Sequence, residues 1–283
     1  MKQLKNIIVA IDFSITARNA YRYAKGFANS VGATLTVVHI KENYLTTTET
    51  LIAPVVEKDE QVLRNDIREL ISEEEQQADK SIINSEVKIE IFNGNPVDVL
   101  IELSLKKDVD VIIIGTTGLA DVLTKIIGSV SLKVANKAHC PVILVPRDAK
   151  WCPIEQIMYA ANYDSITPIA IKEVEELNEK IGADIHFVNV KSFDPVFEIK
   201  QKEIDLKELL KSVNTNVHFE THTIYGNNTI NELKKYCEEK NINVMAFVSK
   251  HRNFLENIIH HSITENMALS TITPMMVIHL DDK

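Results

Sequence analysis

Residues 109–145 read VDVIIIGTTGLADVLTKIIGSVSLKVANKAHCPVILV, and this stretch decides the fold. Val111 to Ile114 is an uninterrupted β-branched run, which predicts a strand buried on both faces of a parallel sheet. The run stops at Gly115. Gly118 follows three residues later, and Gly128-Ser129 comes after nine more residues. The apolar positions Val130, Leu132, Val134, Ala135 and Ala138 then predict a helix. Pro141 closes it, and Val142 to Val145 forms a second buried strand.

The chemistry follows from that layout. Glycine lets a backbone approach a ligand closely and adopt positive φ. Ser129 stands where a helix begins, so its hydroxyl is placed to cap that helix or to meet an anion. The first amides of a helix lack intrahelical partners and carry the positive end of its dipole, which suits a phosphate. The two glycine clusters therefore read as one cradle, made from a strand end and a helix start. Neither the Gly-x4-Gly-Lys-Ser/Thr nor the Gly-x-Gly-x-x-Gly pattern is present.

Working outward, Ile7 to Ile11 is a short strand. Asp12-Phe13-Ser14 follows it, with Ser14 or Thr16 as the cap of a helix running to about Ser30. Gly32 ends that helix, and Leu35 to Ile40 is the next strand. A polar loop covers residues 41–55, and a charged amphipathic helix covers Val56 to Ile83. The Glu73-Glu74-Glu75 run in it reads as a solvated face. Val87 to Phe92 alternates in polarity, as an edge strand does, and a helix from Val97 to Lys106 leads back to residue 109. Residues 1–146 thus read as an open parallel α/β sheet.

After a linker at 147–153 the pattern returns. Ile157 to Asp164 lies 150 residues after Ile7 to Ser14, and Ile181-Gly182-Ala183 matches Val31-Gly32-Ala33 at the same offset. Asn241 to Val244 parallels Asp108 to Val111, and Thr273 to Ile278 parallels Cys140 to Val145. The chain is a tandem duplication with domains at 1–146 and 154–283. The second copy has lost the cradle: Val248 to Phe254 and His260-His261-Ser262 stand in its place, no glycine follows Gly226, and Asn162 replaces Asp12. Lys250, His251 and Arg252 read as a solvated basic turn. His260 and His261 are adjacent, so on a helix they do not share a face, and no metal site is expected from them.

The 283 residues carry a net charge of −9, which argues against a nucleic-acid surface. Cys140, Cys152 and Cys237 follow no metal-ligand or disulfide spacing, and no apolar run approaches a membrane span. A cytoplasmic protein is expected.

The spacing Gly115-x2-Gly118-x9-Gly128-Ser129, with Cys-Pro-Val-Ile-Leu-Val after its helix, resembles the ATP-binding signature of the universal stress protein family, and the resemblance extends over nearly the whole chain. It implies five-stranded parallel sheets of order 3-2-1-4-5 with helices on both faces. It also implies that Ala10 and Asp12 meet the nucleoside, Ile40 the adenine, and Gly115 and Gly118 the ribose and phosphates. Gly128, Ser129, Val130 and Ser131 then form the phosphate-binding helix start. On its own chemistry Asp12 suits adenine or ribose donors, its alternative being a turn or cap residue. The first loop departs from many relatives by carrying Thr116-Thr117 and Leu119-Ala120 instead of basic residues. Charge neutralisation of ATP then rests on amides, hydroxyls, Lys125 and Mg2+. The resemblance further implies that the last strands of the two halves pair as a pseudo-dimer, and leaves a homodimer of whole chains open.

The expected activity is a nucleotide-responsive regulatory or binding protein in stress response. No His or Glu lies in the motif as a general base, and Asp121 is weakly placed. A slow ATP hydrolase or transferase and a nucleotide-independent interaction module with a vestigial site are the alternatives.

Overall fold

The computed structural model describes residues 4–42, 59–77, 86–116, 128–160, 168–191, 208, 218–249 and 272–279. Its strands are β1 (Asn6–Ile11), β2 (Thr34–Lys41), β3 (Val87–Asn93), β4 (Val111–Gly115), β5 (Val142–Val145), β6 (Gln156–Ala160), β7 (Asp184–Lys191), β8 (Phe219–Tyr225), β9 (Val244–Ser249) and β10 (Met275–His279). Its helices are α1 (Ile15–Val31), α2 (Glu60–Gln77), α3 (Pro96–Ser104), α4 (Ser129–Lys137), α5 (Pro168–Ile181) and α6 (Thr229–Glu239).

All the strands join one ten-stranded sheet of order β3-β2-β1-β4-β5-β10-β9-β6-β7-β8. Each half thus has the order 3-2-1-4-5, and within each half the strands run parallel. The halves meet where β5 and β10 pair antiparallel, with Met275 opposite Leu144, Met276 opposite Ile143 and Val277 opposite Val142. Side-chain alternation divides the core in two. Ile7, Val9 and Ile11 face α1, α2 and α5, while Ile8 and Ala10 face the side covered by α3, α4 and α6.

The duplication extends to individual hydrogen bonds. Gly32 and Gly182 both turn left-handed, at φ 67° and 79°. Gly94 donates to Lys41 O and Gly226 to Lys191 O, each at 2.9 Å. The Asp110 carboxylate accepts from the amides of Lys5 and Asn6, and the Asn243 side-chain oxygen accepts from those of Glu155 and Gln156. Asparagine can replace aspartate there because only an acceptor oxygen is needed.

Two expectations along α2 are corrected. Asp59 is already outside the helix, and its side chain accepts the Gln61 amide, so α2 begins at Glu60 and not at Val56. Residues 56–58 and 78–83 lie outside the described residues. Nor is the glutamate run solvated throughout: Glu73 is exposed, but Glu74 and Glu75 turn inward. Glu74 is only 3% exposed and holds Arg18 and Arg22 of α1 at 3.1 and 2.6 Å. Glu75 takes Lys25 at 3.1 Å and the Tyr21 hydroxyl at 3.2 Å, and Glu73 takes Arg18 at 2.6 Å. Burial, then Glu75, pushes the Tyr21 phenol well above its ordinary range, so it stays a neutral donor. A buried carboxylate persists when it is paired and hydrogen-bonded, and α1 supplies both partners. Helix α3 likewise starts one residue earlier than expected, with Pro96 in its first turn and Asn95 accepting the Val97 amide at 2.9 Å, and it ends at Ser104.

The connection between β5 and β6 is pinned to α1. Asn19 donates to Pro146 O and Ala149 O, both at 2.8 Å. Trp151 lies edge-on to Tyr23, with ring centroids 5.0 Å apart, and sits over Gly26. A Cβ on Gly26 would stand 2.3 to 2.4 Å from the indole ring, so the residue must lack a side chain. Gly26→Ala is therefore expected to expel Trp151 and destabilise the fold by about 1–3 kcal/mol. Trp151 is the single tryptophan, so a red-shifted emission together with a lowered urea midpoint checks this directly.

Candidate functional site

The strand order reverses between β1 and β4. From β1 the chain moves to β2 on one side, and from β4 to β5 on the other. Open α/β sheets form a crevice beyond the carboxyl ends of strands at such a point. Val9 pairs with Ile113, and Ile11 and Gly115 each stand two residues further along, at the strand ends that flank the crevice.

On the β1 side, Asp12 is exposed and its Oδ1 accepts the Ser14 amide at 3.0 Å. Ser14 in turn caps α1, accepting the Ala17 amide at 3.1 Å. Asp12 therefore does serve as a turn residue, with one oxygen engaged. Between them Phe13 is held at φ 64°, a conformation that costs a bulky side chain about 1–2 kcal/mol. Its ring lies 5.0 Å from that of His39. His39 Nδ1 is 2.9 Å from Ile11 O, and since a carbonyl only accepts, Nδ1 carries the proton. Neither Phe13 nor His39 was singled out from the sequence. A positive φ on phenylalanine leaves no compositional trace, and His39 reads there as an ordinary strand residue. Ala10 and Ile40 are half-buried and pack on the opposite side of the sheet from Ile11, over the second core cluster.

The β4 side is built more tightly. A Cβ on Gly115 would stand 2.7 Å from Thr16 Cγ2 and 3.1 Å from the Thr16 carbonyl carbon and oxygen. Gly115 is thus required by the packing of β4 against the first turn of α1. Ser131 is buried and donates to Gly115 O at 2.6 Å, tying α4 to the end of β4. The Gly128 amide donates to Thr116 O, and the Thr116 amide donates to Val145 O at 3.0 Å.

Two details differ from expectation. The cap of α4 is Gly128, at φ −62° and ψ 151°, with no side-chain hydrogen bond; Ser129 is the exposed first helical residue and does not cap. Neither Gly115 nor Gly128 is left-handed, and what glycine supplies at Gly115 is space. Val130 is half-buried against the core. The structure brings Ala10, Asp12, Gly115 and the start of α4 to the carboxyl end of one sheet, with Ile40 on the neighbouring strand β2. Gly118, Thr117, Leu119, Ala120, Asp121 and Lys125 lie outside the described residues, as do Asn162, Lys250 to Arg252, His260 and His261. Among the described residues no helix is long and apolar enough to cross a membrane.

Fold and site together define a duplicated open α/β protein with a glycine-capped helix start at a strand-order reversal. The chain belongs to the universal stress protein family, whose model matches residues 3–146. It is 27% identical over 152 residues to a universal stress protein of Methanocaldococcus jannaschii, covering 52% of this chain and 84% of that one. It is 32% identical over 143 residues to one from Thermus aquaticus, covering 50% and 98%. A solved universal stress protein of Archaeoglobus fulgidus shares the fold over 99% of this chain and 98% of its own, with a TM-score of 0.68 and 18% identity.

Because the contacts of Gly115 are steric, Gly115→Ala is expected to lower stability by about 1–3 kcal/mol. Adding Thr16→Ser removes the Cγ2 contact but not those of the backbone. Chemical denaturation of the double variant is expected to recover part of the loss, whereas full additivity of the two losses would contradict this packing.

Proposed function

We propose that this chain is an ATP-binding universal stress protein that acts in the cytoplasm as a nucleotide-responsive regulatory or binding protein in stress response. In this reading residues 1–146 form the nucleotide-binding domain, 154–283 a degenerate copy, and 147–153 the linker. The observation that carries it is the start of α4. Its cap is a glycine with no side chain to engage the first amides, and it stands at the strand-order reversal beside Gly115. Such a helix start favours an anion through unpaired N–H groups and the helix dipole.

The roles divide along the crevice. Ala10 and Ile40 offer apolar contact to a base, and the Asp12 carboxylate accepts from base or ribose donors. Gly118 keeps a side chain out of the path of the phosphates, and the backbone at Gly115, packed against Thr16 of α1, borders that path. The amides of Ser129 and Val130 and the Ser129 hydroxyl meet the phosphates. Ser131 supports the site from behind, since its hydrogen is committed to Gly115 O at 2.6 Å. A bound ATP would supply the charge that the α4 dipole favours, with Mg2+ sharing its neutralisation. Among the described residues no carboxylate or imidazole stands on α4, and this favours a binding protein over a catalyst.

Gly128→Val tests the assignment cleanly, because φ −62° and ψ 151° suit valine as well as glycine. Calorimetry of the nucleotide-stripped chain with Mg-ATP is expected to give one ATP per chain. The variant should fold normally and bind at least ~30-fold more weakly, about 2 kcal/mol. Two ATP per chain would contradict a degenerate second half, and undiminished binding by the variant would remove α4 from the site.

A further inference from the structure

At the far edge of the second half, β7 and β8 bring together three side chains that no part of the nucleotide reading uses. His186 on β7 lies directly opposite Glu220 on β8, and His222 stands two residues further along the same face of β8. One ligand atom from each lies within 4.8 Å of the others. His186 Nδ1 is 3.7 Å from Glu220 Oε2, and His222 Nε2 is 2.9 Å from the same oxygen. The two imidazoles stack, with centroids 5.6 Å apart. His186 is only 6% exposed, and α6 covers it with Tyr236.

We propose that His186, Glu220 and His222 form a metal site for a divalent transition ion, with zinc the ion their donors suit. Two imidazoles and one carboxylate are a zinc-binding set that leaves a fourth position for water or another ligand. Bonds of about 2.0–2.1 Å in tetrahedral geometry place neighbouring ligand atoms roughly 3.3 Å apart, and the 2.9 and 3.7 Å separations bracket that value. The metal takes the place of the hydrogen between His222 Nε2 and Glu220 Oε2, and His222 ligates as the neutral tautomer that carries its hydrogen on Nδ1.

The surroundings are arranged for His186 to be a ligand through Nδ1. The Asp184 carboxylate accepts the Gln156 amide hydrogen at 3.1 Å, which fixes that amide and turns Gln156 Oε1 to His186 Nε2 at 2.5 Å. An amide oxygen only accepts, so Nε2 carries the proton and Nδ1 presents a lone pair to the cluster. A ligating histidine typically donates its other N–H in this way. In the metal-free protein that Nδ1 accepts from the Tyr236 hydroxyl at 2.7 Å, a hydrogen bond that zinc displaces when it takes the lone pair. In the first half, Thr36 donates to Asn6 Oδ1 from the position equivalent to His186. The hydrogen bond is thus inherited, and the ligands are particular to the second half, where Lys88 and Glu90 of β3 correspond to Glu220 and His222.

The full chain, stripped with a chelator and dialysed, is loaded with zinc chloride and measured by elemental analysis after gel filtration and by thermal melting. One zinc per chain and a raised Tm are expected. His222→Ala should lose both while melting like the metal-free parent, and Glu220→Gln, at a half-buried position, is a second variant with the same expected loss. Gln156→Leu should still bind, 10- to 100-fold more weakly. Because the chain has nine histidines, His260→Ala with His261→Ala serves as a control that should retain the zinc. The proposal is overturned if the parent retains no zinc, or if His222→Ala and Glu220→Gln retain it. ATP binding by the first half is unaffected in every arm, so this outcome is separate from that of the nucleotide reading.

Discussion

A short antiparallel seam holds the molecule together: three residue pairs between β5 and β10. Without it each half would end on an unpaired apolar strand, Val142 to Val145 or Met275 to Ile278, a ready template for association with other chains. Pairing the two edges satisfies their backbone groups and places both strands at the centre of a sheet covered on both faces. It also bears on function, because α4 packs on β10 as well as on β5. The helix whose first turn faces the crevice is thus held from both halves. This gives the second half a structural reason to persist without the cradle glycines of the first.

Divergence between the halves follows the kind of interaction at each point. Backbone bonds such as Ile112 N to Pro141 O and Met245 N to Pro274 O recur because they need no particular side chain. The acceptor at Asp110 becomes Asn243 with its two amide donors kept. A glycine cradle has no such tolerance, since any Cβ occupies the space it provides, and the second half contains no glycine after Gly226.

The fold was legible because buried parallel strands impose a simple pattern. Val111 to Ile114 and Val142 to Val145 are pure β-branched or leucine runs, and glycine or proline marks an end of α1, α3, α4 and α5. The strand end at Gly115 and the helix start after Gly128 were legible, because glycine marks both. What escaped depends on packing between elements distant in sequence. Glu74 reads as solvated until α2 is laid against Arg18 and Arg22. The packing demand on Gly115 becomes visible only when Thr16 of α1 stands over it. His186 and His222 are separated by a long stretch of chain and by different strands. Only the β7–β8 register makes them neighbours, whereas the adjacent His260-His261 drew attention by sequence alone.

The central claim is that one half carries a nucleotide site and the other keeps the scaffold without it. Selective [15N]glycine labelling tests it most directly, because the chain has eight glycines and they divide between the halves. On adding Mg-ATP, the amide resonances of Gly115, Gly118 and Gly128 are expected to shift, while those of Gly182 and Gly226 stay in place. Shifts confined to Gly182 and Gly226, or no shift at saturating nucleotide, would contradict the account.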